Sequence, residues 1–404
     1  MTDRFDKAAS HADRRQSELG DDACIAMAYI DGQRACTHVA GERYDTHTVF
    51  KLASVTKIFT GVALAAAIQR GKMEYTATVA TYLDGQRVPD FKGQPIRVDH
   101  LATHLSGLPR EATNLGGGDH PKTRYSETEM RTFLDRYELT RPPGLEYEYS
   151  NVGYGLLGWS IGRAYGMTYS DVIDREIASP LGMSDTTTAL VGNQITRLLG
   201  GSRGTDEAAV ESHTEVTAGT GGLFSTVGDM MSFARAFLDP PDGELGRAIE
   251  QYVSERPNGW VYGQGGTSGF RSYFAVSRPE RRGAIVLVND FVNDPEEIGD
   301  YLMERADSLV AQELRADITD DNYLGLYCFE DGYTLVVTST DERFEVELKG
   351  LSVKFPMREA SRDRFALDGA GAIELAFVRD ALGVVSSVAL HQPNQPVYIA
   401  TKQR

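Results

Sequence analysis

Ser54 and Lys57 are the residues whose types and spacing most directly suggest chemistry. Three residues are about one turn of a helix, so both side chains would project from the same face. A serine hydroxyl is a poor nucleophile until a base removes its proton. A lysine can be that base if burial lowers its pKa, and residues 58–68 form an apolar helix that would bury it. The pattern predicts a covalent serine nucleophile; the alternative is a capping serine beside a solvated lysine.

A second polar segment contains Tyr149 and Asn151, directly before an apolar, glycine-containing run. A tyrosine oxygen close to Ser54 and Lys57 would pass a proton to the leaving group, and an asparagine amide would hold a substrate carbonyl. The alternative is a turn followed by a buried helix.

A third segment, residues 263–270, is rich in glycine and leads into a strand at Tyr273. Glycines such as Gly266 on a strand edge let a substrate approach the backbone closely. Backbone N–H groups here and at Ser54 would together form an oxyanion hole. The alternative is a glycine-rich bulge or turn.

These three segments, in this order, resemble the motifs of the serine β-lactamase and penicillin-binding-protein superfamily. The Tyr-Ser-Asn form of the second motif is similar to the branch that contains class C β-lactamases, D-aminopeptidases and family VIII esterases. Other stretches agree with this branch, and the resemblance covers residues from about 20 to 290. These stretches are residues 101–109, 180–183 and 221–226.

The resemblance implies a role for each matching residue. Ser54 would be acylated, and Lys57 and Tyr149 would share the general-base and general-acid roles, with the first proton acceptor left open. Asn151 would contact the substrate. The backbone N–H groups of Ser54 and Thr267 would bind the oxyanion, and the substrate-binding strand would include Gln264, Gly266 and Thr267.

The third motif departs from the family pattern, which places Lys or His before its glycine. Here Gln264 stands at that position, or Gly263 if the motif is aligned with a gap, and neither is a cation. Losing a charge-assisted contact removes about 1.5–3 kcal/mol of carboxylate recognition. Ester, amide or D-aminoacyl substrates without a recognised carboxylate are therefore favoured, although Arg271 offers a replacement cation.

Three alternatives to such a hydrolase stay open. One is an acyl-transferase or peptide cyclase, which would pass the acyl group to an amine. Another is a β-lactamase or DD-peptidase. The third is a non-catalytic binding homologue that kept the fold.

The element pattern predicts an α+β fold with two domains. A polar helix over about 3–18, a hairpin at Asp31-Gly32 and late strands near 273–288 suggest one sheet built from both chain ends, with helices between. The resemblance implies a β-lactamase/transpeptidase-like antiparallel sheet flanked by helices, with a helical subdomain. We predict a hydrolase domain over 1–315, which ends in a helix from about 296 to 314 with an apolar stripe. Short strand-like runs at 324–327, 334–337, 343–348, 365–367, 373–377 and 384–390 predict a small all-β domain over 316–404, which resembles a lipocalin-like appended domain.

Composition narrows the partners. The 404 residues are 41% hydrophobic and carry a net charge of −17, without a basic cluster, so we expect no nucleic-acid partner. Three cysteines and scattered histidines predict free thiols, no metal site and no cofactor. The charged N-terminus and the lack of a long apolar run predict a cytoplasmic protein with no membrane contact. The expected partner is a small-molecule or peptide substrate; the oligomeric state is left open.

Overall fold

A computed structural model describes the protein over residues 2–116, 121–199, 213–267, 269–289, 295–305, 323–329, 334–339, 344–349, 353–361, 363–367, 373–379, 384–391 and 398–403. The chain divides into two compact units: residues 1–290 with 297–307, and residues 291–296 with 308–404. The predicted domain boundary at 315/316 lies outside the described residues.

The first unit contains helices that mostly fall between its early and late strands. They are α1 (Thr2–Leu19), α2 (Thr56–Gln69), α3 (Val98–Ala102), α4 (Pro121–Arg124), α5 (Glu127–Arg136), α6 (Asn151–Tyr165), α7 (Tyr169–Ile173), α8 (Asn193–Arg197), α9 (Ala218–Gly221), α10 (Val227–Leu238), α11 (Glu244–Ser254) and α12 (Pro295–Leu302). Short 3₁₀ turns occupy Ala53–Val55, Val79–Tyr82, Ser179–Leu181 and Pro257–Gly259, and a π turn occupies Asp174–Ala178.

Two of these helices, α2 and α6, are almost wholly buried. Every residue of α2 from Thr56 to Ala67 is buried, as its nearly uniform apolar composition predicts. In α6 the Ser150 hydroxyl accepts the Gly153 N–H at the start, and Gly166, at φ +68°, ends the helix. Their burial places both helices at the centre of the unit.

Strands from both ends of the first unit form one antiparallel sheet, in the order β2-β1-β9-β8-β7. This confirms the predicted sheet. Its strands are β1 (Ile25–Asp31), β2 (Arg34–Ala40), β7 (Trp260–Thr267), β8 (Phe270–Ser277) and β9 (Arg282–Val288). Two small antiparallel pairs complete the unit: β3 (Val49–Lys51) with β6 (Phe224–Thr226), and β4 (Asp90–Phe91) with β5 (Gln94–Pro95).

Within the described residues, the helix that begins at Pro295 ends before its apolar pattern does. The stripe predicts a helix from about 296 to 314, but α12 ends at Leu302. The chain leaves the helix there because Glu304 adopts a φ of +57°, in the left-handed region. Residues 306–322 lie outside the description.

The second unit is a closed antiparallel barrel of eight strands, each paired with its neighbours in chain order. Alternate side chains fill its interior, among them Tyr327, Val346, Phe365 and Leu375. This confirms a small all-β domain at the C-terminus. Its strands are β10 (Gly325–Phe329), β11 (Thr334–Ser339), β12 (Phe344–Lys349), β13 (Val353–Ser361), β14 (Arg364–Leu367), β15 (Glu374–Arg379), β16 (Val385–His391) and β17 (Tyr398–Lys402).

None of the helices in the described residues has both the length and the apolar character that crossing a bilayer requires.

Candidate active site

Ser54 lies at a sharply defined point where β3 leads into α2. The preceding Leu52 is held on both sides: its N–H donates to Leu223 O at 2.8 Å, and its carbonyl accepts the Ser272 hydroxyl at 2.7 Å. Ala53 then adopts a φ of +45°, a conformation that is uncommon outside glycine. Ser54 follows as the one half-buried residue in an otherwise buried run from 49 to 67. The turn therefore presents its hydroxyl at the surface of the core.

The amine of Lys57 lies against this hydroxyl. Its Nζ is 3.1 Å from Ser54 Oγ, 2.9 Å from Asn151 Oδ1 and 2.7 Å from the carbonyl oxygen of Thr220. The residue is only 8% exposed. Burial lowers the pKa of the Lys57 amine well below its usual value, and the positive charges of Lys122 and Arg110 lower it further. Glu111 opposes this shift without reversing it.

Tyr149, ninety-five positions along the chain, reaches the same hydroxyl from the other side. Its OH donates to Ser54 Oγ at 3.0 Å. Burial raises the pKa of the Tyr149 phenol, while the bond to Ser54 and the charge of Arg110 act in the opposite direction. The structure thus brings Ser54, Lys57 and Tyr149 together, with an amine whose pKa is low and a phenol whose pKa is high.

His104 supports the Tyr149 ring. The two rings stack with centroids 4.5 Å apart and planes 28° apart. The His104 Nδ1 accepts the Ser150 N–H at 3.0 Å, which ties the imidazole to the residue next to Tyr149. Burial lowers the pKa of His104 to about 3, and the charges of Lys57 and Arg110 add to the effect. The ring therefore stays neutral at ordinary pH and acts as a rigid wall.

Asn151 is held by a network that fixes which way its amide points. Its Oδ1 accepts bonds from Lys57 and, at 2.9 Å, from the Thr220 hydroxyl. Its Nδ2 donates to Glu111 Oε1 at 2.6 Å, and Lys122 Nζ donates to the same oxygen at 2.7 Å. Because a carboxylate accepts only, Nδ2 must face Glu111.

Close helix packing brings Thr220 to Lys57. A methyl group at Gly158 of α6 would lie 2.8 Å from the Gly219 Cα in α9, and one at Gly219 would lie 2.8 Å from Tyr154 O. Larger residues at either position would force α9 away from α6. The glycines therefore set the distance between the Thr220 carbonyl and the buried amine.

The sheet edge β7 forms the wall opposite α6. A methyl group at Gly265 would lie 2.9 Å from the Ser54 backbone nitrogen and would also meet Leu52 O and the Ser272 hydroxyl. Gly266, the next residue, is exposed, and a methyl group there would meet nothing within 4 Å. Thr267 is half-buried and pairs with Phe270. The glycine-rich segment therefore lies directly beside the nucleophile.

Gln264 is not directed at Ser54. Its side chain leaves β7 on the face opposite Gly263 and Gly265, and its amide bonds to the Tyr262 hydroxyl. The side-chain position that faces α2 is 263, where a methyl group would lie 2.9 Å from Ile58 Cδ1. Of the two alignments left open by the sequence, the structure favours the one that places Gly263 where the family has a cation. As a substrate contact, Gln264 remains a prediction.

The sequence reasoning missed three residues that contact this site: Arg110, Glu111 and Thr220. For His104, inside the family-like segment 101–109, the sequence predicts a structural role, and its stacking on Tyr149 agrees with that prediction. Arg110 and Glu111 directly follow the family-like segment 101–109, and Thr220 directly precedes the segment 221–226. Proximity to these stretches was the available signal. It does not tell which side chain points inward.

The chain is similar in sequence and in fold to known proteins. The D-alanyl-D-alanine-carboxypeptidase/endopeptidase AmpH of Escherichia coli is 29% identical over 351 residues, covering 75% of this chain and 89% of that protein. A crystal structure of a β-lactamase/D-alanine carboxypeptidase from Yersinia pestis, in complex with citrate, superposes with a TM-score of 0.62 at 25% identity, covering 74% of this chain and 97% of that chain. A class C β-lactamase shares the fold, with a TM-score of 0.63 at 16% identity over 76% of this chain and 97% of its own.

The profile of the beta-lactamase family matches residues 13–307. That span includes the buried amine, the phenol and the hydroxyl they share, together with the sheet edge beside them. A match of this extent over the assembled site makes the chain a serine hydrolase of the β-lactamase family.

Proposed function

We propose that the protein cleaves ester or amide bonds through an acyl-enzyme formed on Ser54. The observation that carries the proposal is the convergence on one hydroxyl of Lys57, at 3.1 Å, and Tyr149, at 3.0 Å. Both distances are within hydrogen-bond reach, as a nucleophile and its proton acceptor require.

Lys57 is the base that accepts the Ser54 proton. A neutral amine has two N–H donors and one lone pair, and two of its three neighbours, Asn151 Oδ1 and Thr220 O, only accept. Both donors are thus used on these oxygens, and the lone pair is left for the Ser54 hydroxyl. The lowered pKa of the amine favours the same neutral form.

Tyr149 carries the proton to the leaving group. Attack by Ser54 Oγ on the acyl carbon places the hydroxyl proton on Lys57, and collapse of the tetrahedral intermediate expels the leaving group. The phenol, protonated because its pKa is raised, donates its proton to that group, and the proton now held by Lys57 restores the phenol. Water then attacks the acyl-enzyme by the reverse sequence.

The oxyanion would be bound by backbone N–H groups of Ser54 and β7. Thr267 and Phe270 close a two-residue hairpin, so they form a hydrogen-bonded pair and the Thr267 N–H points toward β8. Its neighbour Gly266 then points its N–H to the free edge of the sheet. The register therefore supports Gly266 as the β7 donor, in place of Thr267.

The substrate class follows from the third motif. Neither Gly263 nor the outward-facing Gln264 places a cation beside Ser54, so β7 offers no charge to a carboxylate on the substrate. Esters, amides and D-aminoacyl compounds fit this edge. A DD-peptidase is the second candidate, because the relatives from E. coli and Y. pestis are named D-alanine carboxypeptidases.

Labelling with a fluorophosphonate probe tests the acyl-enzyme. We expect Ser54→Ala to lose all labelling, and Lys57→Ala to label and turn over on the order of 10²–10⁴ more slowly because it lacks the base. The exposed variants Ser17→Ala and Lys72→Ala are the matched controls. Labelling that survives Ser54→Ala, or an unchanged rate in Lys57→Ala, contradicts the assignment.

A substrate panel tests the class of bond. It compares short-chain nitrophenyl esters, a chromogenic cephalosporin, and D- and L-aminoacyl anilides. Preferred turnover of esters or D-aminoacyl anilides supports the first candidate. Preferred turnover of the cephalosporin, or of peptides ending in D-alanine, favours the second.

A further inference from the structure

Three basic side chains lie near the reacting groups. One of them is favoured in its neutral form, and a second is paired with a carboxylate. Lys57 is buried with a lowered pKa, which favours the neutral amine. Lys122 is paired with Glu111, with 2.7 Å between Nζ and Oε1. Arg110 is the third, and no ion pair joins it to any residue within the described ranges.

The guanidinium of Arg110 lies over the ring of Tyr149 and is open to solvent. Its central carbon is 5.1 Å from the centroid of the Tyr149 ring, and the residue is exposed. A guanidinium that stacks on an aromatic ring keeps its N–H groups free at the edges. It is thus next to the phenol that handles the proton, with donors available to a ligand.

The backbone of Arg110 is fixed relative to the catalytic groups. Its carbonyl accepts the N–H groups of Asn151, at 2.8 Å, and Val152, at 3.3 Å. The carbonyl of Pro109 accepts the Ser150 hydroxyl at 2.7 Å. The segment that bears Arg110 is therefore tied to the first turn of α6, which also presents Asn151.

The opposite wall lacks a comparable charge. Position 263 is glycine, Gln264 faces away from Ser54, and Arg271 is a partly buried residue of β8 opposite Gly266. Among the described residues, Arg110 is therefore the one cation that is both exposed and in contact with a reacting side chain, that of Tyr149.

We propose that Arg110 binds a carboxylate of the substrate, so that anion recognition comes from the α6 side of the site and not from β7. The proposal rests on the acyl-enzyme function and adds a substrate class to it: esters or amides that carry a free carboxylate. A planar guanidinium matches a carboxylate with two parallel hydrogen bonds. The carboxylate belongs to either the acyl part or the leaving group, and the test separates the two.

Matched pairs of substrates test this inference on the full chain. The two members of a pair share the same scissile bond; one carries a carboxylate and the other the corresponding primary carboxamide. In the first pair this group is on the leaving group, and in the second pair it is on the acyl part. We expect Arg110→Gln to lower the carboxylate-to-carboxamide ratio of kcat/KM by about 10- to 100-fold in one pair, mainly through KM. Arg110→Lys should retain part of the preference, and Arg235→Gln, at an exposed arginine of α10, should retain all of it.

Two outcomes overturn the inference. One is an unchanged ratio in both pairs. The other is an equal loss on carboxylate and carboxamide, which would mean that Arg110 acts only through the Tyr149 ring.

A binding measurement separates this inference from the acyl-enzyme itself. Calorimetry of the same pairs on Ser54→Ala and on Ser54→Ala/Arg110→Gln reports carboxylate recognition without turnover. A preference for the carboxylate that disappears in the double variant supports Arg110 even if fluorophosphonate labelling fails. If Ser54→Ala binds the carboxylate and the carboxamide with equal affinity, as the double variant does, the inference is overturned even if labelling succeeds.

Discussion

At the scale of single residues, burial acts in opposite directions on the two groups that share the Ser54 hydroxyl. It lowers the pKa of the Lys57 amine and raises that of the Tyr149 phenol, because in each case the charged form loses its water. At neutral pH this favours a base that can accept a proton and an acid that can donate one. Two groups with pKa values pushed apart in this way can divide the acid and base roles.

The pH dependence of kcat/KM follows from these directions. Activity should fall at low pH, as Lys57 is protonated and loses its lone pair, and at high pH, as Tyr149 loses its proton. His104 should add no step between pH 5 and 9, because its pKa of about 3 lies below that range. A pH–rate profile on a neutral ester measures both limbs.

The variant Tyr149→Phe serves as the check on this assignment. It keeps the ring on His104 but should lose the alkaline limb, together with about 10²–10⁴ of the rate. Tyr147→Phe, at a neighbouring tyrosine that also packs on His104, should keep both. An alkaline limb that persists in Tyr149→Phe would assign it to another group.

At the scale of elements, the site depends on backbones that approach one another where side chains would interfere. Strand β7 reaches the Ser54 backbone because residue 265 is glycine, and α9 reaches α6 because residues 158 and 219 are glycine. Protein interiors are close-packed, so an added methyl group at such a contact must move one element. Each movement would displace a group that contacts Ser54 or Lys57.

Gly265→Ala tests this close approach. The methyl group would meet Leu52 O, the Ser272 hydroxyl and the Ser54 nitrogen, so it should push β7 from the nucleophile. We expect a loss of about 1–3 kcal/mol in unfolding free energy and about 10²-fold in kcat/KM. Denaturant unfolding and ester hydrolysis measure the two effects.

Gly283→Ala is the matched control in the same sheet. Its methyl group would find its nearest neighbour, Ile30 Cδ1, at an ordinary 3.6 Å. If both variants lose stability and activity equally, the effect belongs to glycine in a strand and not to the contact with Ser54.

At the scale of the whole molecule, the residues of the site all belong to one of the two units. Ser54, Lys57, Tyr149, Thr220 and β7 lie within residues 1–290, and the barrel has a hydrophobic core of its own. The family match also ends at residue 307, where the first unit ends. We therefore predict that the two units fold separately.

A chain truncated after residue 307 tests this division. It should unfold in one cooperative transition and should label with the fluorophosphonate at Ser54 within a few-fold of the full-length rate. Ser54→Ala in the truncated chain is the control for specific labelling. A truncated chain that is unfolded in circular dichroism would show that the first unit depends on the barrel.

The amino-acid sequence by itself determined the features that depend on neighbouring residues. The one-turn spacing of Ser54 and Lys57, the first hairpin and helix α1 follow from local pattern, although the hairpin's loop residues are Gly32 and Gln33 and not Asp31 and Gly32. Six of the eight barrel strands were predicted from short apolar runs between turns. The two missed strands are β13, which has Pro356 at its centre and many charges, and the short β17. These two segments are strands because they pair with neighbouring strands of the barrel. Such pairing depends on distant parts of the chain, so local sequence does not predict it.

Only the tertiary structure decided which groups meet. Tyr149 reaches Ser54 across 95 positions, and Lys57 reaches Thr220 across 163, so the protonation states of the site arise from long-range burial. The direction of Gln264 depends on the register of β7, because each step along a strand reverses the face. The place of Arg110 over Tyr149 depends on the bonds of its carbonyl to α6, which local sequence does not encode.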